Sequence, residues 1–421
     1  MKQILFIHTL FPSQFHLYLP KLLDHGYDIR ALTFQTDVER SIPSQVKVDL
    51  VECEDVWTLA IINQLFPNIH PDYIHHFLTK YQTAVAVYQY LLKLRDTENY
   101  VPEIIVSHEF SLFSLFVKAV YPKVKLICRM DVFHHNQIGM CQINPEDLIL
   151  SNFQPENSTV FSRIWNFMAL GAIEQADQVF CATQFDKNSF PVHLHPKIKV
   201  IFDGINTTKI HPHLSISMPP EWQPWLNQKY VLFATRSLEP LRGFGEFLQS
   251  IPYIVRKYPN CRFVIVGKPD VCCYGNEPAS GKTWMNTYLQ KYNLPQHLIT
   301  QIGYLQQDIL LGLRLHAAIN VYLTYDWVLS WAMLETMSLG CGIVASRTAP
   351  VLELIKDGEN GRLVDIRDPV SIANGIIEAL DNPDKFREFG KKARQTIVEQ
   401  YDGDLMADQF LTLLRGSDPS P

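Results

Sequence analysis

No run of eighteen apolar residues occurs in this 421-residue chain, so no transmembrane helix is expected. There is no excess of positive charge either: 37 Lys and Arg stand against 43 Asp and Glu, a net charge of -6. That balance argues against nucleic acid as the main partner and against a broadly basic membrane face. The eight cysteines are scattered, without a Cys-x-x-Cys pair, and Cys272 simply adjoins Cys273. Such a pattern fits neither a disulfide framework nor a zinc site, and reads as reduced thiols in the cytoplasm. Two phosphate-binding signatures are missing as well. The turn after the first apolar run is His8-Thr-Leu-Phe-Pro-Ser13-Gln14-Phe15, without the Gly-x-Gly-x-x-Gly that a nicotinamide dehydrogenase needs there. Gly281-Lys282-Thr283 has no phosphate loop before it. Repeats and low-complexity tracts are also absent from the sequence.

What remains is an ordinary globular composition, 47% hydrophobic and 19% charged, at a length that suggests two domains. The first apolar run, Ile4–Ile7, is short and reads as a β-strand rather than a signal peptide. Strands are expected at 3–8, 28–34, 46–51, 103–107, 124–130, 178–182 and 198–202, with a long helix between Asp72 and Asn99. The pattern restarts at 229–235, 261–267, 298–303, 317–323 and 342–346, with helices such as Gly243–Lys257 and Trp284–Tyr292 between. Strand–helix alternation of this kind implies parallel sheets covered on both faces. The proline-rich stretch from His211 reads as a linker. The expectation is an α/β protein of two doubly wound domains, 1–210 and 211–385, facing each other across a cleft. Tail helices at Pro383–Gln400 and Asp404–Gly416 follow, and Ser417–Pro421 should fray. Asp402-Gly-Asp404 has the spacing of a metal-binding pair, but its place between two helices favours a helix cap.

Ligands of open α/β sheets sit beyond the carboxyl ends of the strands. The polar residues at those ends are His8, His108-Glu109 and Asp131 in the first half. In the second they are Arg236, Gly267-Lys268, Asp326 and Ser346-Arg347. Arg236 and Arg242 lie six apart after an apolar strand, where guanidinium forks match phosphate oxygens. Gly243 opens the following helix, whose N-terminus also favours an anion. The bland reading is that one arginine pairs with Glu239 or Glu246. Glu335 is a lone carboxylate in the apolar helix Trp331–Leu339, and such a charge needs a partner: a ligand hydroxyl, or else an internal cap or salt bridge. The helix ends in the turn Gly340-Cys-Gly342, and the apolar strand after it leads into Arg347-Thr-Ala-Pro, where a small-residue turn is expected to present amides to a ligand. His108 is placed to bond a sugar hydroxyl or phosphate. His134-His135 is a poor metal pair, because adjacent side chains diverge. The aromatics Trp57, Phe66, Tyr73, Phe77, Tyr81 and Tyr88 read first as core, and second as a surface for an acceptor or for peripheral membrane contact.

In order and spacing, these blocks resemble the retaining glycosyltransferases of family 4, in the branch associated with polysaccharide biosynthesis. The residues that carry the resemblance are Thr235-Arg236-Ser-Leu-Glu-Pro-Leu-Arg242-Gly243, Val264-Ile-Val-Gly267, Ile302-Gly303-Tyr304-Leu305, Leu334-Glu335-Thr-Met-Ser-Leu-Gly340 and Glu353-Leu-Ile-Lys-Asp357-Gly-Glu-Asn-Gly361. Phe6-Ile-His8-Thr-Leu-Phe-Pro12, Ala182-Thr183-Gln-Phe-Asp and Asp203-Gly204-Ile205-Asn206 extend it into the first half. The resemblance implies the GT-B fold, with residues 386–421 crossing back to the first domain. It implies that His108, Arg236 and Arg242 act at the reacting centre. Donor contacts would come from Arg236, Arg242, Gly243, Gly267, Tyr304, Leu305, Asp326, Ser330 and Glu335, with Glu335 on the ribose. It implies a nucleotide diphosphate sugar as co-substrate and neither a metal nor another cofactor. The location implied is cytoplasmic, with room for peripheral contact at the inner membrane face.

The family's two glutamates, eight apart, would put the first at position 327, which is Trp327; Asp326 is the nearest carboxylate. The family's glycine-rich first turn is replaced by Leu10-Phe-Pro-Ser13, so that loop does not identify the acceptor. The activity expected is sugar transfer to the hydroxyl of a glycan, a lipid-linked molecule or a small molecule, with retention. The missing first glutamate motivates an alternative, a non-catalytic GT-B subunit that binds a partner enzyme or a glycan.

Overall fold

The computed structural model describes residues 2–37, 40–53, 61, 64, 71–109, 113–135, 138–151, 155–222, 226 and 228–416. Two compact units emerge. Unit 1 comprises 1–135, 158–204 and 403–421, and unit 2 comprises 136–157 and 205–402. The division falls at 204/205, not at 210/211. The helix Pro383–Gln400 stays with unit 2, and it is Gly403–Arg415 that packs with unit 1. The physical reason lies in the helices' apolar faces. Phe386, Phe389 and Ala393 face the core of unit 2, whereas Phe410 stacks on Tyr18 at 4.5 Å and lies against Phe6 and Phe180. A third departure is the segment 136–157, which leaves the first half of the chain to pack into unit 2.

Unit 1 is built on β1 (Lys2–Phe11), β2 (Tyr27–Thr36), β3 (Lys47–Leu50), β4 (Ile104–His108), β5 (Lys125–Arg129), β6 (Gln178–Cys181) and β7 (Ile198–Val200). Their order is β3-β2-β1-β4-β5-β6-β7, and every pairing is parallel. Unit 2 has β8 (Tyr230–Ser237), β9 (Arg262–Lys268), β10 (Ile299–Ile302), β11 (Ile319–Tyr322), β12 (Ile343–Ser346) and β13 (Arg362–Val364). These are ordered β10-β9-β8-β11-β12-β13, again parallel. Apolar, β-branched runs such as Ile104-Ile-Val are buried on both faces, as helix-covered parallel strands must be. The twelve expected strands are present, and β13 is the one the sequence does not announce.

The helix Phe244–Lys257 buries Phe244, Phe247, Leu248, Ile251 and Ile254 at helical spacing against unit 2's core. The long helix of unit 1 runs Pro71–Glu98. On it, Phe77 and Tyr88 pack towards Phe116, in line with the core reading, whereas Tyr81 meets Phe116 edge-on but is 44% exposed. Trp57 and Phe66 lie outside the described residues, as does the side chain of Tyr73. No helix among the described residues is long and apolar enough to cross a membrane.

Candidate functional site

In unit 2 residues at and beyond the ends of β8 and β11 line a small cleft. Ala234, Thr235, Arg242, Leu323, Ser330 and Ala332 are among its lining residues. Arg242 ends a short turn after β8 and is 7% exposed. Its Nη1 donates to Thr324 Oγ1 at 2.9 Å and to the Val328 carbonyl at 3.4 Å. The Tyr274 ring lies 5.2 Å from the guanidinium. Neutral partners of this kind fix the fork's direction without cancelling its charge. The two nearby carboxylates, one of which still feels the Arg242 charge, make their hydrogen bonds elsewhere. Glu239 Oε2 accepts from the Cys273 and Tyr274 amides at 2.7 and 3.0 Å, which sets Tyr274 in place. Glu246 accepts from Tyr325 Oη at 2.7 Å. Burial raises the carboxyl of Glu239, and that of Glu246 to about 7.

Gly243 follows at φ +63°, a left-handed conformation, and caps the helix that begins at Phe244. A Cβ there would lie 2.7 Å from the Leu323 Cβ, so only glycine fits. Gly267 is required by closeness, since a Cβ would meet the Thr235 carbonyl oxygen at 2.9 Å. Arg236 is exposed on β8, next to Thr235 of the cleft lining. Ser330 caps the helix Trp331–Ser338, accepting from the Ala332 amide, while its own amide donates to Tyr322 Oη at 3.1 Å. Glu335 is 8% exposed and has a protein partner that the sequence does not reveal: Gln307 Nε2 donates to it at 2.6 Å. Tyr304 is half exposed with Lys268 Nζ 5.0 Å from its ring, and Leu305 packs on the smaller core of this unit.

Protein partners occupy three further features of this half of the chain. Asp326 is not a free carboxylate: Oδ2 accepts from Gln142 Nε2 at 3.0 Å and Oδ1 from the Ala349 amide at 2.7 Å. Gly340 and Gly342 do not open towards a ligand. Gly340 (φ +67°) ends its helix, and a Cβ on Gly390 would sit 2.1 Å from the Gly340 carbonyl oxygen, so the turn is covered by the helix Pro383–Gln400. Gly342 faces Phe386 in the same way. At the end of β12, Ser346 Oγ bonds the Thr324 amide and carbonyl, and Arg347 pairs with Asp357.

In unit 1, His108 ends β4 and is 5% exposed. Its ring stacks on His8 at 4.7 Å, and its Nε2 faces Arg129 Nη1 at 3.0 Å and Asp131 at 3.6 Å. Arg129 is the hub that sequence reasoning misses. It donates to Asp131 at 2.6 Å, just beyond β5, and to Asp203 at 2.9 Å, just beyond β7. Burial works to raise the Asp131 carboxyl, but Arg129 and then His108 outweigh it and hold it well below the usual range. Burial, followed by the neighbouring His108, pushes His8 well below the ordinary histidine value. His134 lies tilted against Trp165, and burial lowers its pKa to about 4. No cluster of three metal-ligating side chains occurs among the described residues.

Two family models match the chain: glycosyl transferase family 4 group over residues 55–210, and glycosyl transferases group 1 over 221–396. An uncharacterized glycosyltransferase of Methanocaldococcus jannaschii is 24% identical over 389 residues, covering 88% of each chain. The phosphatidyl-myo-inositol mannosyltransferase of Mycobacterium tuberculosis is 27% identical over 192 residues, and that match spans only 46% of its length. Among solved structures, sucrose-phosphate synthase from Thermosynechococcus elongatus superposes with a TM-score of 0.71 at 15% identity, covering 99% of both chains. Anabaena HepE in complex with UDP-glucose gives 0.66 at 13% identity, covering 99% of this chain and 100% of that one. At those identities the likeness speaks for the fold alone.

Proposed function

The chain is a family 4 glycosyltransferase of GT-B fold, and we propose that it is a retaining, metal-independent enzyme acting on a nucleoside diphosphate sugar. The observation that carries this reading is Arg242. It is a buried cation with no ion pair among the described residues, lining a strand-end cleft beside the N-terminus of the helix that Gly243 caps. A diphosphate is the ligand whose charge answers a guanidinium and a helix N-terminus together. Arg236, exposed on the same strand, adds the second cation. Glu335, with Gln307 steadying one oxygen, keeps acceptor capacity for a ribose diol. A uridine diphosphate sugar is the first donor to test, because HepE, a protein of the same fold, is solved with UDP-glucose.

In the proposed step the bond between the anomeric carbon and the donor phosphate oxygen breaks. The acceptor oxygen bonds to the same face, and its proton passes to the departing phosphate oxygen. Arg236 and Arg242 stabilise charge that grows on the diphosphate, an interaction strongest in the transition state. Water exclusion limits hydrolysis of the donor. His108 belongs to the acceptor side in this account, and the acceptor is the hydroxyl of a glycan, a lipid-linked molecule or a small molecule. The location proposed is cytoplasmic, with peripheral contact at the inner membrane face.

The experiment is transfer of radiolabelled sugar from a panel of nucleotide sugars in EDTA, with the product's anomeric configuration read by NMR coupling. Retained configuration and full activity without metal support the reading. An inverted product, or absolute dependence on a divalent ion, overturns it. A donor that binds yet is never transferred to any acceptor favours the non-catalytic alternative. Trp327, standing where the family has a glutamate, is the observation behind that alternative.

A further inference from the structure

The segment 138–151 lies in the first half of the sequence yet belongs to unit 2, where it reaches the loop 326–330. Gln142 clasps Asp326 twice: its Oε1 accepts from the Asp326 amide at 3.1 Å, and its Nε2 donates to Asp326 Oδ2 at 3.0 Å. The Gly139 amide donates to the Asp326 carbonyl at 2.8 Å, and the Arg367 guanidinium holds the Gln142 carbonyl at 3.3 Å. Ile143 is buried in the main core of unit 2. Gly139 has φ +66°, and a Cβ on it would lie 2.8 Å from the Trp327 ring, so the indole rests on bare backbone.

Two physical routes lead from this clasp to Arg242. One is covalent: Asp326 is two residues from Val328, whose carbonyl accepts from Arg242 Nη1. The other is packing: the Trp327 ring meets Tyr274 edge-on at 5.6 Å, and Tyr274 faces the Arg242 guanidinium. We propose that Gln142 is a positioning residue for Arg242, holding the 326–330 loop through its clasp on Asp326 so that the guanidinium is aimed before the donor arrives. This rests on the reading of Arg242 as a diphosphate ligand. On this account Trp327 is a strut between the segment and Tyr274, and Asp326 serves the loop rather than the sugar.

The amide–carboxylate clasp can be inverted without losing a bond. In Q142E/D326N, the carboxylate introduced at position 142 accepts from the backbone amide of position 326 and from the side-chain amide introduced there. The remaining side-chain oxygen at position 326 still accepts from the Ala349 amide. Each single variant breaks the match. Q142E sets two carboxylates against each other, and D326N sets two amide donors against each other.

The experiment measures UDP affinity by calorimetry, and amide exchange at positions 139, 326 and 349, in the wild type, both single variants and the double. The account expects each single to weaken UDP about tenfold, the equivalent of one or two net hydrogen bonds, and to speed exchange at these amides. The double variant should return to within about threefold of wild type in both readouts, whatever the singles do to melting temperature. A double as weak as the singles, or singles that bind UDP like wild type, overturns the proposal. If wild-type protein binds neither UDP nor another nucleoside diphosphate, the donor reading fails. The exchange arm then judges the clasp by itself, and unchanged exchange in the singles refutes it.

Discussion

At the scale of single residues, the account rests on a few charges and on what faces them. Arg242 is held by a hydroxyl, a carbonyl and an aromatic face, with no ion pair among the described residues, and the proposal assigns its charge to a ligand. Arg242→Ala should lower kcat by about 10²–10³ with little change in melting temperature, as for loss of one transition-state charge contact. Arg236→Ala should cost less, because an exposed cation is screened by solvent. Steady-state kinetics on the folded variants would check both, and full activity in Arg242→Ala would remove the site assignment. Arg129 differs in kind. Buried between Asp131 and Asp203, it should destabilise unit 1 by about 3–5 kcal/mol when replaced by alanine, since two carboxylates lose their counter-ion. A melting temperature within a degree of wild type would contradict this. Arg242 is legible in the sequence because it follows an apolar strand. Arg129 is not, because its partner Asp203 is 74 residues away and only the sheet brings them together.

At the scale of elements, strands and helices are legible because a parallel sheet leaves continuous apolar runs, and an amphipathic helix leaves a 3.6-residue period. β13, three residues long and opening on Arg362, leaves no such trace. The Gly-x-Gly turn after Glu335 shows the limit of motif reading. Its glycines make room for the Pro383–Gln400 helix, whose Gly390 touches the Gly340 carbonyl, rather than for a ligand. Gly243 carries both meanings, since its positive φ starts a helix at the cleft and its missing side chain admits Leu323. Gly243→Ala should therefore lower stability by more than about 1 kcal/mol and weaken nucleotide binding together, roughly as backbone strain and overpacking do. Calorimetry paired with melting curves would test this, and unchanged binding would contradict it. The role of Asp326 is hidden for the reason that Arg129 is: Gln142 lies 184 positions away, on a segment no composition signal marks.

At the scale of the whole molecule, the division into units follows apolar faces rather than the proline-rich stretch. Phe410 fits unit 1 and Phe386 fits unit 2, a distinction the sequence does not mark. Unit 2 also carries a pH signature. Burial, against a weaker opposing Tyr325 bond, raises the Glu246 carboxyl to about 7, and burial raises Asp147 to about 6. A raised folded pKa means the folded state binds more protons, so this stability is complete below about pH 4 and fades as pH rises towards 7. Glu246→Gln keeps an acceptor for Tyr325 and removes the titration. The melting temperature of Glu246→Gln relative to wild type should therefore climb between about pH 4.5 and 7.5, and a constant difference would contradict the assignment. The central claim is that unit 2 binds a nucleoside diphosphate through Arg242 without metal, and calorimetric titration of UDP and GDP in EDTA tests it most directly. The account predicts saturable binding of at least one of them by wild type, weakened at least tenfold in Arg242→Ala, or about 1.4 kcal/mol. Binding that needs a divalent ion, or that is the same in Arg242→Ala as in wild type, would contradict it.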